Sequence, residues 1–298
     1  MKLELNKLTK RFSAKTAVED MNITINSGVY GLLGANGAGK TTLMRMICGV
    51  LAPSSGSITL NGADIAEMGE QYRDLLGYLP QNFGYYPDFT AEEFLLYVAA
   101  LKGIPPRNAK LKANDLLQTV ALSDVARKKI RTFSGGMKQR LGIAQSMLND
   151  PRIVVLDEPT AGLDPKERVR FRNLISDLAK DKIIILSTHI VSDVEYIADQ
   201  ILVMKKGRLL MTGTVEELTS SMENCVWNCL VPAREADSWN DKYCISNLKH
   251  EGNHLELRIV SKERPLPDAV PVAPTLEDLY LYYFQDESPA KPLKGVSL

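Results

Sequence analysis

Apolar and polar residues alternate in "KLELNKL" (Lys2–Leu8) and in "NITI" (Asn22–Ile25). Alternation with period two predicts antiparallel strands with one face in solvent. Three other stretches, "VYGLLG", "RIVVLD" and "KIIILS", are short unbroken apolar runs. Such runs predict parallel strands buried on both faces, and the helical patterns between them make the fold class α/β with a layered core. From Pro87 to Asn149 the texture becomes helical. There "TAEE" (Thr90–Glu93) predicts a capping box, and "SGGMKQRLGIAQSML" (Ser134–Leu148) sets Met137, Leu141, Ala144 and Leu148 at helical spacing. This segment, about residues 87–149, reads as a helical insertion in the α/β domain.

After a second capping box at Thr214–Glu217 the core pattern ends, which divides the chain into a domain of residues 1–214 and a small one of 215–298. Residues 221–260 alternate in short strand-like pieces, with "EGN" as a hairpin turn before the strand "HLELRIV" (His254–Val260). "RPLPDAVPVAP" (Arg264–Pro274) is expected to be extended, because each proline restricts its predecessor. "TLEDLYLYYF" (Thr275–Phe284) predicts a capped helix whose stripe of Leu276, Leu279, Tyr280, Tyr283 and Phe284 packs on the appendage's own strands or, for some of the aromatics, meets the first domain or a second copy.

Length and charge narrow the function. The chain has 298 residues, enough for one large and one small domain, with 36 basic against 36 acidic side chains. That balance gives no global field toward nucleic acid, which is not an expected partner. The longest apolar runs, "FLLYVAAL" and "IIIL", fall far short of the roughly 18 residues that span a bilayer. No secretory signal pattern opens the chain, so a soluble or peripheral protein is expected. Four scattered cysteines do not make a disulfide framework. Cys225 and Cys229 with His250 and His254 imitate a zinc spacing, but the connection is too long for the finger pattern. They read as small buried thiols and turn histidines.

The chemistry begins at "GLLGANGAGKTTLMRM" (Gly31–Met46), between a short buried strand, Val29–Leu33, and a helical pattern after Thr42. Glycine costs about 1 kcal/mol relative to alanine in a helix. Packing alone would not choose Gly34, Gly37 and Gly39 so close together. A glycine-rich turn leading into a helix aims backbone N–H groups at one spot, where the macrodipole adds partial positive charge. The spacing Gly34-x-x-x-x-Gly39-Lys40-Thr41 meets the phosphate-loop pattern in full. In that pattern Lys40 reaches the β- and γ-phosphates of a nucleotide, and the Thr41 hydroxyl holds Mg²⁺.

The strand "RIVVLDEP" then ends in Asp157 and Glu158. Successive strand side chains point to opposite faces, so the two acids take different tasks. Asp157 is expected to assist Mg²⁺, directly or through water, and Glu158 to act as general base for an attacking water. In "FSGGMKQR", Ser134, Gly135 and Gly136 open another helix and form a second anion site. One ATP has one γ-phosphate, so this second site could cap a nucleotide held by another copy of the chain.

In order and content these motifs resemble the ATP-binding subunit of ABC transporters, over roughly residues 1–214. Phe12, in "KRF", sits where that family puts its adenine-stacking aromatic. "GANGAGKTT" is similar to the Walker A loop, which makes Asn36, Gly37, Ala38, Gly39, Lys40, Thr41 and Thr42 nucleotide-binding residues. Gln81 in "GYLPQ" matches the Q-loop, Ser134–Met137 the signature, and "IVVLDE" the Walker B strand. "AGLD" (Ala161–Asp164) matches the D-loop, and His189 in "STHI" the switch histidine. The resemblance implies a P-loop ATPase core, with a mixed sheet, an antiparallel β subdomain and a helical subdomain, plus a small α+β C-terminal domain. It implies ATP and Mg²⁺ as ligands, with Thr41, Gln81 and Asp157 toward the metal and Glu158, His189 and Gln81 as the catalytic group. His189 would hydrogen-bond the γ-phosphate, and Gln81 would also contact the membrane subunit.

The implied partners are a separate transmembrane permease subunit and a second copy, or a homologous ATPase, paired head to tail so that each signature closes over the other's ATP. The implied place is the cytoplasmic face of the membrane, peripheral through the permease. Phe133 and Met137 stand where the commonest signature has Leu and Gln, while Ser134, Gly135 and Gly136 are intact. With the C-terminal appendage, "SGGMKQRL" resembles the separate-chain ATPases of bacterial exporters. Only about fifty residues separate Gln81 from the signature, too few for the coiled coil of chromosome-maintenance relatives. Ribosome-associated relatives carry two cassettes, and a non-hydrolysing regulator would not need both Glu158 and His189.

Overall fold

The computed structural model describes residues 1–13 and 15–285, and of residues 236 and 237 only the backbone. The chain divides into two compact units, Met1–Thr212 and Gly213–Leu298. Residues 286–298, which the sequence reading assigns to the C-terminal domain, lie outside the described residues.

The first unit is built on β1 (Lys2–Phe12), β2 (Lys15–Asn26), β3 (Gly28–Leu33), β4 (Ser55–Leu60), β5 (Ala63–Asp64), β6 (Leu76–Leu79), β7 (Ile153–Asp157), β8 (Ile183–Thr188), β9 (Gln200–Lys205) and β10 (Arg208–Gly213). Among the described residues they form an antiparallel sheet of order β2-β1-β4-β5 and a six-stranded sheet of order β10-β9-β3-β8-β7-β6. The run from β9 to β6 is parallel, and β7 and β8 are buried along their whole length. The unbroken apolar runs account for this, because helices cover both faces of a parallel sheet. In β1 the alternation is not continuous. Leu3 and Leu5 face the core at spacing two, but the next buried residue is Leu8. A bulge with Lys7 at φ +49° absorbs the extra residue and returns the apolar side inward.

Between β6 and β7 lie helices Ala91–Leu101, Pro106–Thr119 and Gly135–Ser146. The capping box at Thr90 is present. The Glu93 N–H donates to Thr90 Oγ1 at 3.2 Å, and the Thr90 N–H to Glu93 Oε2 at 2.7 Å. The helix Gly135–Ser146 departs from the one-sided stripe expected of it. Leu141, Gly142, Ile143, Ala144 and Ser146 are all buried, so its second half is covered on every side. Close approach to β6 is the reason: a Cβ on Gly142 would lie 2.7 Å from Leu79 Cδ1, and Gln145 Nε2 donates to Tyr78 O at 3.0 Å.

The second unit holds a sheet of β11 (Val226–Pro232), β12 (Cys244–Glu251), β13 (His254–Val260) and β14 (Val270–Pro271), in the order β12-β13-β11-β14. The "EGN" turn closes β12 on β13 with Gly252 at φ +61°, and His250 and His254 flank it in solvent. Two expectations fail here. The strand-like stretch 221–260 is interrupted by a helix, Ala236–Lys242, which stacks Trp239 on Tyr243 against the sheet core. The proline-rich stretch is folded back on itself rather than extended. Arg264 Nη2 donates to Ala269 O at 2.8 Å, the Ala269 N–H donates to Leu266 O at 3.1 Å, and only Val270–Pro271 joins the sheet. Leu276–Phe284 is a capped helix packed against β12 and the helix Val215–Ser220. Leu276, Leu279 and Phe284 of its stripe are buried, and Tyr280 and Tyr283 are half-buried. Among the described residues no helix is long and apolar enough to cross a membrane.

Candidate active site

The turn between β3 and the helix Lys40–Ile47 holds the glycines where bulk is excluded. Gly39 is the helix N-cap at φ +105°, and a Cβ there would lie 2.2 Å from Ala17 O. A Cβ on Gly34 would lie 2.3 Å from Met204 O. The helix begins at Lys40 rather than after Thr42, because the Gly39 conformation turns the chain directly into it. The free N–H groups of the first turn therefore belong to Lys40, Thr41 and Thr42. Lys40 itself is buried inside the turn, its Nζ donating to Gly34 O at 2.6 Å and lying 3.7 Å from Glu158 Oε1. Burial lowers the proton affinity of this amine, and the Glu158 and Asp157 carboxylates oppose that shift.

Asp157 closes β7 and Glu158 follows it. Asp157 Oδ1 accepts from Ser187 Oγ at 2.6 Å and from Thr41 Oγ1 at 3.3 Å. Its Oδ2 is buried with no hydrogen-bond partner among the described residues. Glu158 sits at φ +50°, a left-handed conformation that costs a non-glycine residue about 1–3 kcal/mol. Its N–H donates to Ser187 Oγ at 2.9 Å, and its Oε2 lies 2.8 Å from His189 Nδ1. The acids part, Asp157 toward Thr41 and Glu158 toward Lys40 and His189, but Glu158 lies beyond β7, so its left-handed backbone and not the strand pleat sets its direction.

These groups border a cleft of about 500 Å³. Phe12, 46% exposed, enters it from β1. Asn36, Gly37 and Gly39 of the turn, Lys40, Thr41 and Thr42 of the helix, Gln81 after β6, and Glu158 complete most of the wall. Ala38 is buried behind the turn, Asp157 lies beneath Thr41, and His189 joins the group through Glu158. Lys15 and Ala17 also line the cleft. Sequence reading missed both. Lys15 pairs with Phe12 between β2 and β1, and Ala17 falls at the register shift between Thr16 and Val18, which no alternating pattern marks.

Ser134, Gly135 and Gly136 do not line this cleft. Ser134 Oγ caps the helix Gly135–Ser146 by accepting the Met137 N–H at 3.2 Å. Gly136 rests on the helix Pro165–Leu178, since a Cβ there would lie 2.9 Å from Glu167 Oε2. Arg140 Nε stands 3.2 Å from the same oxygen, and its Nη1 donates to Val120 O and Ala121 O. Asp164 in turn caps the helix Pro165–Leu178 through the Glu167 N–H.

A family model described as ABC transporter matches residues 18–161. Among curated proteins, the uncharacterized ABC transporter ATP-binding protein YxlF of Bacillus subtilis is 37% identical over 250 residues, 84% of this chain and 83% of that one. The chain belongs to the ABC transporter ATP-binding family. The Nod factor export ATP-binding protein I of Burkholderia lata is 37% identical to this ABC protein over 225 residues, 75% of this chain and 74% of its own. A solved ATP-binding subunit of an ABC transporter is 29% identical with a TM-score of 0.66, covering 74% of this chain and 93% of that one. The chain is thus an ABC ATPase, with the α/β cassette fold of that family and an ATP-binding role in transport.

Proposed function

We propose that this ATPase powers an exporter: two copies close head to tail on ATP, and hydrolysis reopens them. The observation that carries this reading is the division of the site. Lys40, Thr41, Gln81 and Glu158 share one cleft, whereas Ser134–Gly136, the other helix N-terminus suited to phosphate, lies outside it. A second copy is the partner that would bring its Ser134 turn to the nucleotide.

Adenine stacks on Phe12, and the phosphates take the N–H groups of the turn together with Lys40. An anion there exchanges its oxygens for the Gly34 carbonyl and the Glu158 pair that Lys40 otherwise holds. Thr41, Asp157 and Gln81 would hold Mg²⁺, which neutralises charge on the phosphate oxygens. The buried Asp157 Oδ2, without a hydrogen-bond partner among the described residues and near the Thr41 hydroxyl, fits a hard, oxygen-seeking cation. Glu158 takes the proton of the attacking water. With Nδ1–H donating, His189 holds that carboxylate in place. A separate transmembrane permease subunit selects the cargo, and this chain docks on it from the cytoplasmic side. Export is supported by the Burkholderia relative, which is named for export.

Ser134→Arg should leave nucleotide affinity of the monomer close to wild type and abolish the ATP-dependent dimer. Fluorescent-nucleotide titration and sedimentation of the full chain read the two separately. Loss of monomer binding would refute the head-to-tail arrangement. Residues Met1–Thr212 are proposed as the catalytic domain and the remainder as an accessory one. A chain ending at Gly213, the last residue of β10, should therefore keep its Mg-ATP affinity. A tenfold loss in equilibrium titration of that folded fragment would put part of the site in the C-terminal unit.

A further inference from the structure

Ser187 lies on β8 directly opposite Asp157 of β7, in the parallel register that pairs Ile153 with Ile183. It is fully buried and opens the "STHI" stretch, in which the family resemblance gives a role to His189 alone. A serine hydroxyl has one proton to give and lone pairs to receive. Here the proton goes to Asp157 Oδ1 at 2.6 Å, and the oxygen receives the Glu158 N–H at 2.9 Å. One side chain therefore grips two consecutive acids, the first by its carboxylate and the second by its backbone.

Both grips matter to chemistry. With Oδ1 held by Ser187, and more loosely by Thr41, Oδ2 is the Asp157 oxygen left to meet a cation. The Glu158 backbone is in the left-handed region, and its N–H is buried. Removing the hydroxyl would leave that donor unpaired at the residue whose conformation is least favourable by itself. We propose that Ser187 is a positioning residue of the ATPase: it orients the Asp157 carboxylate toward the metal and locks the backbone that aims Glu158. The inference rests on Glu158 being the general base.

The test compares full-length wild type with Ser187→Ala, Ser187→Thr and Glu158→Gln. The alanine change removes one oxygen at nearly constant volume, and urea unfolding verifies that each variant is folded. Ser187→Ala should lower kcat by about 10–100-fold, the usual cost of losing a group that orients a metal ligand. It should also shrink the gain in ATP affinity that Mg²⁺ confers, while affinity measured in EDTA stays that of wild type. Ser187→Thr restores the hydroxyl and should recover both quantities. Wild-type kcat and Mg²⁺ gain in Ser187→Ala would overturn the proposal, as would a folded Ser187→Thr no better than the alanine. If Ser187→Ala does not fold, Ser187→Cys, a weak donor of similar size, should show the same loss in milder form, and wild-type values there would overturn the proposal. Glu158→Gln reports on the underlying reading independently: if it turns over like wild type, the base assignment fails whatever Ser187 does.

Discussion

Glu158→Gln should bind ATP at least as tightly as wild type and lose about 10²–10⁴-fold in turnover, the usual contribution of a general base. The amide keeps the shape of the side chain, and its oxygen can still accept from His189 Nδ1 at the position Glu158 Oε2 holds. It cannot take a proton from water. Binding should not suffer, because the carboxylate lies 3.7 Å from Lys40 and competes with phosphate for that amine. Removing its charge also removes a repulsion against the triphosphate. ATP should then hold two copies of the variant together, since the step that reopens them is blocked. Steady-state hydrolysis at saturating Mg-ATP, with sedimentation in parallel, measures both. Turnover within a factor of a few of wild type would remove Glu158 from the mechanism.

Asp278→Asn should destabilise the C-terminal unit by about 3 kcal/mol, the lower end for breaking a buried ion pair, because Arg258 keeps 22% of its side-chain exposure. Asp278 is a node of that unit. It accepts from Arg258 Nη2 at 2.7 Å on β13 and from the Thr275 N–H and hydroxyl at 2.8 Å in the capping box. Ser246 Oγ on β12 donates to it as well. Burial pushes its pKa up, but the Arg258, Ser246 and Thr275 hydrogen bonds outweigh burial and hold it below the ordinary aspartate value. A depressed folded-state pKa contributes stability that is present above the unfolded pKa of about 3.9 and lost as pH falls through the folded one. The stabilisation should therefore be intact at neutral pH and disappear in acid. Both tryptophans of the chain, Trp227 and Trp239, lie in this unit, so their fluorescence during urea unfolding reports on it. A wild-type midpoint in the asparagine variant would show that the node contributes nothing.

What the sequence determined by itself is what depends on neighbours a few residues apart. The three capping boxes at Thr90, Thr214 and Thr275 span residues i to i+3, and all three form as hydrogen-bond pairs. The buried runs of β3, β7 and β8 need only their own side chains to announce a doubly covered parallel sheet. The glycine spacing of the phosphate turn carries its chemistry because backbone geometry there is local. Tertiary structure decided what depends on register and on folding back. Ser187 meets Asp157 and Glu158 because β7 and β8 pair thirty residues apart in sequence, a match no local pattern encodes. Arg140 reaches Glu167 across two helices, and Arg264 closes a proline-rich loop on Ala269 O where proline stiffness alone argued for an extended chain. The helix at Ala236–Lys242 forms where residues 221–260 read as strand, and Trp239 and Tyr243 pack against a core assembled from β11, β13 and Ala269. Its apolar partners come from distant segments, so only the folded chain brings them together.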